Sequence, residues 1–333
     1  MKNNNDDQKK GPSKGFIRII IYFASAVAIF FAVALGMHLY EKNLDKITAN
    51  KTFQKAYSVL PTGDSEVNLP EEFKQAYEDH DDMFQFGQNL GSSCRYGVFL
   101  SEKTDVKGYD VLVVDAQNYT KEEILDLNRK NGYVLSYINI GSIENFRPYY
   151  QEYENLTLKE YENWEEEKWV DVTSERWQEF ILDELAKEIL DKGVDGFFVD
   201  NCDVYYQYQD KKTLEGVARI MKGLVDTGKP VIMNGGDTFL EAYCEEMGDW
   251  YDVITGINQE TVISRIYWDT GEFGLNDEEE KEYFTEYVQK YSDKGAYVFL
   301  LEYVTDDEIA EKVKEYCKEK NYAYYISDSL ELD

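Results

Sequence analysis

Eight short apolar runs constrain the fold of this chain more than any other feature of its sequence. Segments with helical spacing separate most of them, and strands that alternate with helices form parallel sheets. Eight such units in roughly 245 residues predict an α/β fold, a (β/α)8 TIM barrel. The runs are 96–100, 110–115, 133–140, 196–200, 231–234, 253–257, 297–303 and 322–326.

The segments between the runs carry helix start and stop signals. Thr120 with Glu123, and Thr305 with Glu308, have the spacing of capping boxes. Helical spacing at 177–190 stops just before Gly193, a residue type that commonly ends helices. A doubly wound sheet is the alternative fold, but no glycine-rich phosphate loop follows the first run. The count of eight favours the barrel.

An uncharged segment follows a basic stretch near the N-terminus. Residues 19–37 contain no charged side chain and are long enough to span a bilayer. The basic flank predicts a cytoplasmic tail at 1–15 and a transmembrane signal anchor at 16–40. A cleaved signal peptide is the alternative, because Ala32-Val33-Ala34 resembles a cleavage site. Both interpretations place the remainder outside the cytoplasm, either on the cell membrane through a single pass or secreted.

Residues 41–82 connect this segment to the apolar runs. They are mostly charged and polar, with Pro61, Gly63 and Pro70, and show little periodicity beyond one possible helix at 71–78. This composition predicts a stalk. The barrel domain is then predicted at 83–333.

Composition excludes several classes of function. Acidic residues number 66 against 35 basic ones, a formal charge of −31, which disfavours nucleic acid as a partner and favours a cationic one. His38 and His80 both lie outside the βα pattern, and the four cysteines form no CxxC pair. A metal site or a catalytic triad based on histidine is therefore not expected, and no cofactor is predicted.

Acids and amides follow most of the predicted strands. Catalytic groups of parallel barrels lie at the C-terminal ends of the strands, and two carboxylates across a polar cleft are what glycoside hydrolysis requires. Hydrolysis by two carboxylates needs no metal, so none is predicted in the cleft; a calcium ion held by Asp200, Asp203 and Asp237 with backbone oxygens is the alternative. The strand-end residues are Asp115, Asn139, Asp200, Asn201, Asp203, Asn234, Asp237, Asn258, Glu260 and Glu302.

Four stretches resemble glycoside hydrolase family 114, which contains endo-α-1,4-polygalactosaminidases. They are Tyr-Ile-Asn-Ile-Gly-Ser-Ile-Glu-Asn-Phe-Arg-Pro at 137–148, Trp-Val-Asp-Val at 169–172, Asp-Gly-Phe-Phe-Val-Asp-Asn-Cys-Asp at 195–203 and Asn-Gln-Glu at 258–260. The resemblance covers about 85–330. Cys202 and Thr173 depart from the family pattern, which commonly has an aliphatic residue and an arginine there.

The resemblance implies roles for individual residues. Asp200 matches the family's nucleophile and Glu260 its acid/base, in a retaining mechanism. Arg147 either pairs with Glu144 or contacts substrate. The predicted substrate-binding residues are Asp115, Asn139, Glu144, Arg147, Asn201, Asp203, Asn234, Asp237 and Glu302.

The sequence therefore predicts a membrane-anchored, extracellular glycosidase that cleaves an α-1,4-linked, amino-sugar-rich polysaccharide. Partial deacetylation would make such a polymer cationic, and an acidic cleft would attract it. A cell-surface carbohydrate-binding barrel that has lost catalysis is the alternative. A third hypothesis is a secreted scaffold protein on a stalk, but a scaffold does not account for the acidic residues at the ends of the predicted strands.

Overall fold

The eight apolar runs form eight parallel strands in the structure, a computed structural model that describes residues 86–87, 90–162 and 164–333. The predictions for 1–15, 16–40 and 41–82 lie outside these residues. In the described part of the chain, no helix has both the length and the apolar character needed to span a membrane. The parallel strands are β1 Tyr96–Phe99, β2 Val111–Val114, β3 Tyr133–Asn139, β7 Gly196–Asp200, β8 Val231–Asn234, β9 Gly256–Glu260, β12 Tyr297–Tyr303 and β13 Ala323–Ser327.

The order of these strands in the sheet is the order of the chain, β1-β2-β3-β7-β8-β9-β12-β13. A parallel bridge between Arg95 and Tyr324 joins the first strand to the last. The sheet therefore closes on itself, as in a (β/α)8 barrel. A doubly wound sheet instead reverses its strand order at a switch point, which this sheet does not do.

The sixth parallel strand differs from its predicted bounds. We expected 253–257, but the strand is Gly256–Glu260. Val253 and Ile254 are buried, yet both amides donate to the carbonyl of Trp250, at 3.2 and 3.1 Å, and so close a turn. Their apolar character reports burial and not strand pairing.

Helices cover the outside of the barrel. They are α1 Lys121–Lys130, α2 Tyr150–Tyr153, α3 Glu175–Glu179, α4 Ala186–Asp191, α5 Val204–Gln207, α6 Lys211–Val225, α7 Asp237–Glu246, α8 Glu278–Ser292 and α9 Asp307–Lys320. A π-helical segment, Phe180–Leu185, joins α3 to α4. Short 3₁₀ turns occupy Ala116–Asn118, Glu154–Leu156 and Trp250–Asp252.

One predicted capping box is confirmed and the other is wrong. At α1, Glu123 N donates to Thr120 Oγ1 at 3.3 Å, and Thr120 N donates to Glu123 Oε2 at 2.7 Å. At α9, the cap is Asp306 and not Thr305, because Asp306 Oδ1 accepts from the amides of Glu308 and Ile309. A carboxylate at this position also interacts favourably with the positive end of the helix dipole.

Alternation along each strand separates an inner core from an outer one. On β7, Phe197 and Val199 pack outward against the helices, whereas Phe198 packs inside the barrel. Both faces are buried, which explains why the run is apolar throughout. The same alternation decides which polar residues at the strand ends face inward.

Two small sheets lie beyond the C-terminal ends of the strands, and neither was predicted. After β3, an insertion forms β4 Ser142–Glu144, β5 Thr157–Glu160 and β6 Glu167–Val170, antiparallel in the order β4-β6-β5. After β9, β10 Ser264–Tyr267 and β11 Glu272–Leu275 form a hairpin. Their strands are only three or four residues long, and β5 and β11 contain no buried residue, so they lack the apolar runs that marked the barrel.

Candidate active site

An acidic cleft of about 700 Å³ opens at the C-terminal ends of the barrel strands. The insertion after β3 and the hairpin after β9 both contribute residues to its walls. Among the residues that the structure describes, Arg147 is the one basic residue in the lining, whereas nine lining residues are acidic. The acids are Asp115, Glu144, Glu165, Glu166, Glu167, Asp200, Asp203, Glu260 and Glu331.

Asp200 and Glu260 lie together on the floor of this cleft and share a hydrogen-bond donor. Asn234 Nδ2 donates to Asp200 Oδ1 at 3.0 Å and to Glu260 Oε1 at 2.8 Å. The distance between these two carboxyl oxygens is therefore no greater than the sum of the two hydrogen-bond lengths. Asp200, Asn234 and Glu260 end β7, β8 and β9, three adjacent strands, which explains how the fold brings them together.

Each carboxyl group has a second donor, a buried tyrosine. Tyr137 Oη donates to Asp200 Oδ2 at 3.1 Å, and Tyr303 Oη donates to Glu260 Oε2 at 3.0 Å. Burial raises the pKa of both phenols, so both remain protonated and act as donors. The four carboxyl oxygens of the pair are therefore all hydrogen bonded.

Both acids hold their protons more tightly than an exposed carboxyl group does. Burial, and then the negative charge of Asp200, raises the pKa of Glu260 to about 7, although the bonds from Asn234 and Tyr303 lower it. Burial also raises the pKa of Asp200, against the bonds from Asn234 and Tyr137. Glu260 thus retains a proton near neutral pH, as a general acid must.

Arg147 is buried between two acids. Its Nη1 lies 2.6 Å from Asp115 Oδ2, and its Nη2 lies 2.7 Å from Glu144 Oε1. Asp115 also accepts from Gln117 N at 3.0 Å and so begins the turn after β2. All three residues line the cleft, but their charges are paired within the protein. This supports the structural alternative for Arg147 and leaves the Asp115 carboxylate less free to hold a substrate amine.

Glu167, at the start of β6, is a cleft carboxylate that sequence reasoning missed. Its Oε1 accepts from Asn139 Nδ2 at 2.8 Å and from Asn201 Nδ2 at 2.9 Å, and it contacts the Ser142 hydroxyl. Burial, followed by the charge of Glu144, raises its pKa to about 7. In the sequence it ends a run of three glutamates, which reads as a solvated surface.

Asn139 and Asn201, both predicted to bind substrate, form hydrogen bonds that hold the insertion on the barrel. Asn139 is outside the cleft lining, and its Oδ1 accepts from the amide and the hydroxyl of Ser142. Asn201, with a left-handed φ of 65°, lines the cleft and directs its amide at Ser142 and Glu167. Gly141 permits this fit, because a Cβ there would come within 1.8 Å of the Asn201 carbonyl oxygen.

The acids that follow β7 and β8 are divided between the cleft and its surroundings. Asp203 lines the cleft and accepts from Gly236 N at 3.2 Å; burial, with the charges of Asp237 and Asp200, raises its pKa to about 7. Asp237 was also predicted to bind substrate, but it is not part of the cleft lining. Helix α7 begins at Asp237, and the Asp237 carboxylate contacts the Tyr283 hydroxyl instead.

Glu302, which was predicted to bind substrate, lies outside the cleft lining. Leu301 and Tyr303, its neighbours on β12, line the cleft, so alternation turns Glu302 to the opposite face. There it is fully buried and accepts from Ile263 N at 3.0 Å, Ser264 N at 2.7 Å and Ser264 Oγ at 2.6 Å. Glu302 therefore anchors the segment between β9 and β10.

Aromatic side chains form the upper wall of the cleft. Tyr161 stacks on buried Trp169, with ring centroids 4.3 Å apart. Trp164 from the insertion and Trp268 from the hairpin meet edge to face at 6.3 Å, and both are about half exposed. Exposed ring faces beside a polar floor are suited to contact with sugar rings.

Solved structures with the same fold include one glycoside hydrolase domain and one protein bound to galactosamine. The glycoside hydrolase domain of PelA from Pseudomonas aeruginosa is 14% identical with a TM-score of 0.60, and the match covers 72% of this chain and 95% of that one. Ega3 from Aspergillus fumigatus, solved in complex with galactosamine, is 16% identical with a TM-score of 0.57, over 73% and 94% of the two chains. At these identities the likeness shows the fold alone.

Sequence comparison is more specific. No curated protein matches the chain as a whole. The profile of Glycoside-hydrolase family GH114 matches residues 88–331, which span the barrel and both of its small sheets. The chain therefore belongs to glycoside hydrolase family GH114.

Proposed function

We propose that this glycoside hydrolase cleaves α-1,4-linked, galactosamine-rich polysaccharide with retention of configuration. Asp200 is the nucleophile and Glu260 the acid/base. The observation that carries the proposal is the pair of carboxyl groups bridged by Asn234 on the floor of an acidic cleft.

The first step needs one carboxyl group ionised and the other protonated. Glu260 donates its proton to the glycosidic oxygen while Asp200 attacks the anomeric carbon, which breaks the glycosidic bond and forms a glycosyl–aspartate ester. Glu260, now ionised, then takes a proton from water, and the resulting hydroxide displaces Asp200. The raised pKa of Glu260 supports its part in both steps.

The spacing of the pair supports retention over inversion. Retaining enzymes hold their two carboxyl groups about 5–5.5 Å apart, whereas inverting enzymes need about 6.5–9.5 Å to admit a water molecule. Asp200 Oδ1 and Glu260 Oε1 are both within 3.0 Å of the same amide nitrogen. Hydrogen bonds of 3.0 and 2.8 Å laid end to end are shorter than the spacing of about 6.5–9.5 Å that inverting enzymes need.

The charge of the cleft supports a cationic polymer as substrate. Its single basic side chain, Arg147, is already paired with Asp115 and Glu144, so the other acids face the cleft without a basic partner in the lining. Ega3, which shares the fold, was solved with galactosamine bound. A partly deacetylated galactosaminoglycan carries ammonium groups that such a cleft attracts.

The location we propose is the outer face of the cell membrane, with residues 19–37 as an uncleaved anchor. The support is the uncharged length and the basic flank of that segment. The measurement is mass spectrometry of the N-terminus in membrane and soluble fractions. A mature N-terminus near residue 35 would show that the segment is a cleaved signal peptide.

The test of the activity uses residues 83–333 and a purified α-1,4-linked galactosamine polymer. Reducing ends should accumulate, and proton NMR of the first product should show the α-anomer, since retention keeps the configuration. A β-anomer would disprove retention but not hydrolysis. Binding without any release of reducing ends would instead identify the chain as a carbohydrate-binding barrel.

A further inference from the structure

A chain of polar side chains runs beneath the cleft, inside the otherwise apolar barrel. Tyr96 Oη donates to Asn258 Oδ1 at 3.1 Å, and Asn258 Nδ2 donates to Asn234 Oδ1 at 2.7 Å. Asn234 Nδ2 completes the chain at Asp200 and Glu260. Neither Tyr96 nor Asn258 lines the cleft.

These two residues occupy positions where apolar side chains would be expected. Asn258 is fully buried, and Tyr96 packs against Phe299 with ring centroids 4.8 Å apart. Burying an amide inside an apolar core is costly unless its hydrogen bonds are made. The Tyr96–Asn258 pair therefore requires a reason beyond packing.

We propose that Tyr96 and Asn258 are positioning residues that fix the orientation of the Asn234 amide, so that its nitrogen faces both catalytic carboxyl groups. The inference rests on the catalytic roles proposed for Asp200 and Glu260. An amide has two orientations, related by exchange of its oxygen and nitrogen. The wrong one would direct the Asn234 oxygen at two carboxyl groups.

The hydrogen bonds from Tyr96 through Asn258 to Asn234 can have only one donor-to-acceptor direction. Burial, and then the charge of Glu260, raises the pKa of Tyr96 far above its ordinary value, so its hydroxyl remains a donor. Asn258 must then turn its oxygen to Tyr96 and its nitrogen to Asn234. Asn234 and Asn258 are register partners on β8 and β9, which places these amides side by side.

The consequence is that Tyr96, which does not line the cleft, affects the pKa values of Asp200 and Glu260 together through the Asn234 amide. The bonds from Asn234 lower the pKa of Asp200 and of Glu260. Other groups near Glu260 are Tyr303 and Glu302 on β12, Tyr161 on the insertion and Asp200 on β7. None of these groups donates a hydrogen bond to both acids, whereas Asn234 does.

The experiment is the pH–rate profile of Tyr96→Phe against wild type. Loss of the donor should free the amides to turn, lower kcat by about tenfold with KM nearly unchanged, and move both limbs of the profile to higher pH. Tyr287→Phe is the matched control, because its equally buried hydroxyl has no hydrogen-bond partner among the described residues. A profile of Tyr96→Phe that superimposes on wild type would overturn the proposal.

A second measurement does not depend on the substrate. Carbon-13 NMR of carboxyl-labelled protein should show the Glu260 titration at higher pH in Tyr96→Phe, and Asn258→Leu should show a similar shift. The double variant should shift no further than either single one, because both act through the same amide. If the titration of Glu260 were unchanged in both single variants, the positioning role of Tyr96 and Asn258 would be rejected, even if the protein showed no activity.

Discussion

Asp200 and Glu260 share the same amide nitrogen, that of Asn234, which lies 3.0 Å from one carboxyl oxygen and 2.8 Å from the other. Each acid also has its own tyrosine, so neither depends on Asn234 alone. The shared donor holds the two groups at a fixed spacing. Two carboxyl groups so close cannot both ionise easily, which favours the singly protonated pair that the first step uses.

Neutralising either acid should therefore remove turnover without unfolding the barrel. We expect Glu260→Gln to lower kcat by about 100- to 10,000-fold. Asp200→Asn should be at least as severe, because it removes the nucleophile. Both amides are nearly isosteric, so far-UV circular dichroism and binding of the polymer should change little. Glu319→Gln, on the exposed side of α9, is the control; more than a tenth of wild-type activity in Asp200→Asn would contradict the assignment.

Activity should fall as the pH rises past about 7. Glu260 must be protonated in the first step, and its pKa of about 7 sets the alkaline limb of the pH–rate profile. Tyr303→Phe removes a donor to the ionised form of Glu260 and should raise that pKa, which moves the alkaline limb alone to higher pH. An alkaline limb that is unchanged in this variant would show that another group supplies the proton.

The folded protein should be more stable at pH 5 than at pH 8. Burial, reinforced by neighbouring acids, raises the pKa values of Glu167, Asp203 and Glu260 to about 7, above the ordinary carboxyl value. Between these values the folded state binds more protons than the unfolded state, so stability is lost as the pH rises to about 7. Glu167→Gln should reduce the stability difference between pH 5 and pH 8 by about 2 kcal/mol. Urea unfolding at both pH values measures it, and an equal difference in variant and wild type would contradict the raised pKa.

Glu302 should matter for stability and not for substrate affinity. Glu302→Ala leaves the buried amides of Ile263 and Ser264 without their acceptor, which should cost about 3 kcal/mol of unfolding free energy. Chemical denaturation is the measurement, with Glu319→Ala as the exposed control. If Glu302→Gln kept full stability but raised KM, then Glu302 would bind substrate after all.

Cleavage of a charged polymer should depend on salt. The acids of the cleft attract ammonium groups, and screening shortens this attraction to about 8 Å at physiological ionic strength. Glu165 and Glu166 line the cleft and are exposed, so neutralising both should raise KM several-fold at low salt and weaken the salt dependence. A fully N-acetylated polymer is the control. Equal salt dependence on both polymers would mean that the net charge of −31 serves solubility alone.

The barrel and the floor of its cleft were predictable from sequence because strand ends are conspicuous. An apolar run that closes on an acid or an amide marks both the strand and the residue at the mouth, as in the stretch that ends at Asp200 and Asn201. The same reasoning identified Asn234, whereas Glu260 lies three residues beyond the predicted run and gained its role from the family resemblance. The distances between these side chains could not be predicted, because they depend on which strands become neighbours in the sheet.

The sequence was less informative where the signal at a strand end was ambiguous. Glu302 lies one position from Tyr303, and the otherwise apolar strand does not reveal which of the two side chains faces inward. Glu167 was missed because it stands among other glutamates in the insertion, and only its contacts with Asn139 and Asn201 distinguish it. Long-range pairs of this kind require the fold to be known first.

The three-stranded insertion after β3 has a further consequence for engineering this enzyme. Asp200, Asn234 and Glu260 belong to the barrel, whereas Tyr161, Trp164 and Glu167 arrive on one continuous stretch of chain. The reactive groups and much of the surrounding wall are therefore encoded by separate segments. Varying only exposed residues of this stretch, such as Trp164, Glu165 and Glu166, would give a library with a varied wall above an unaltered catalytic floor, in which altered polymer preference can be selected without first rebuilding the chemistry.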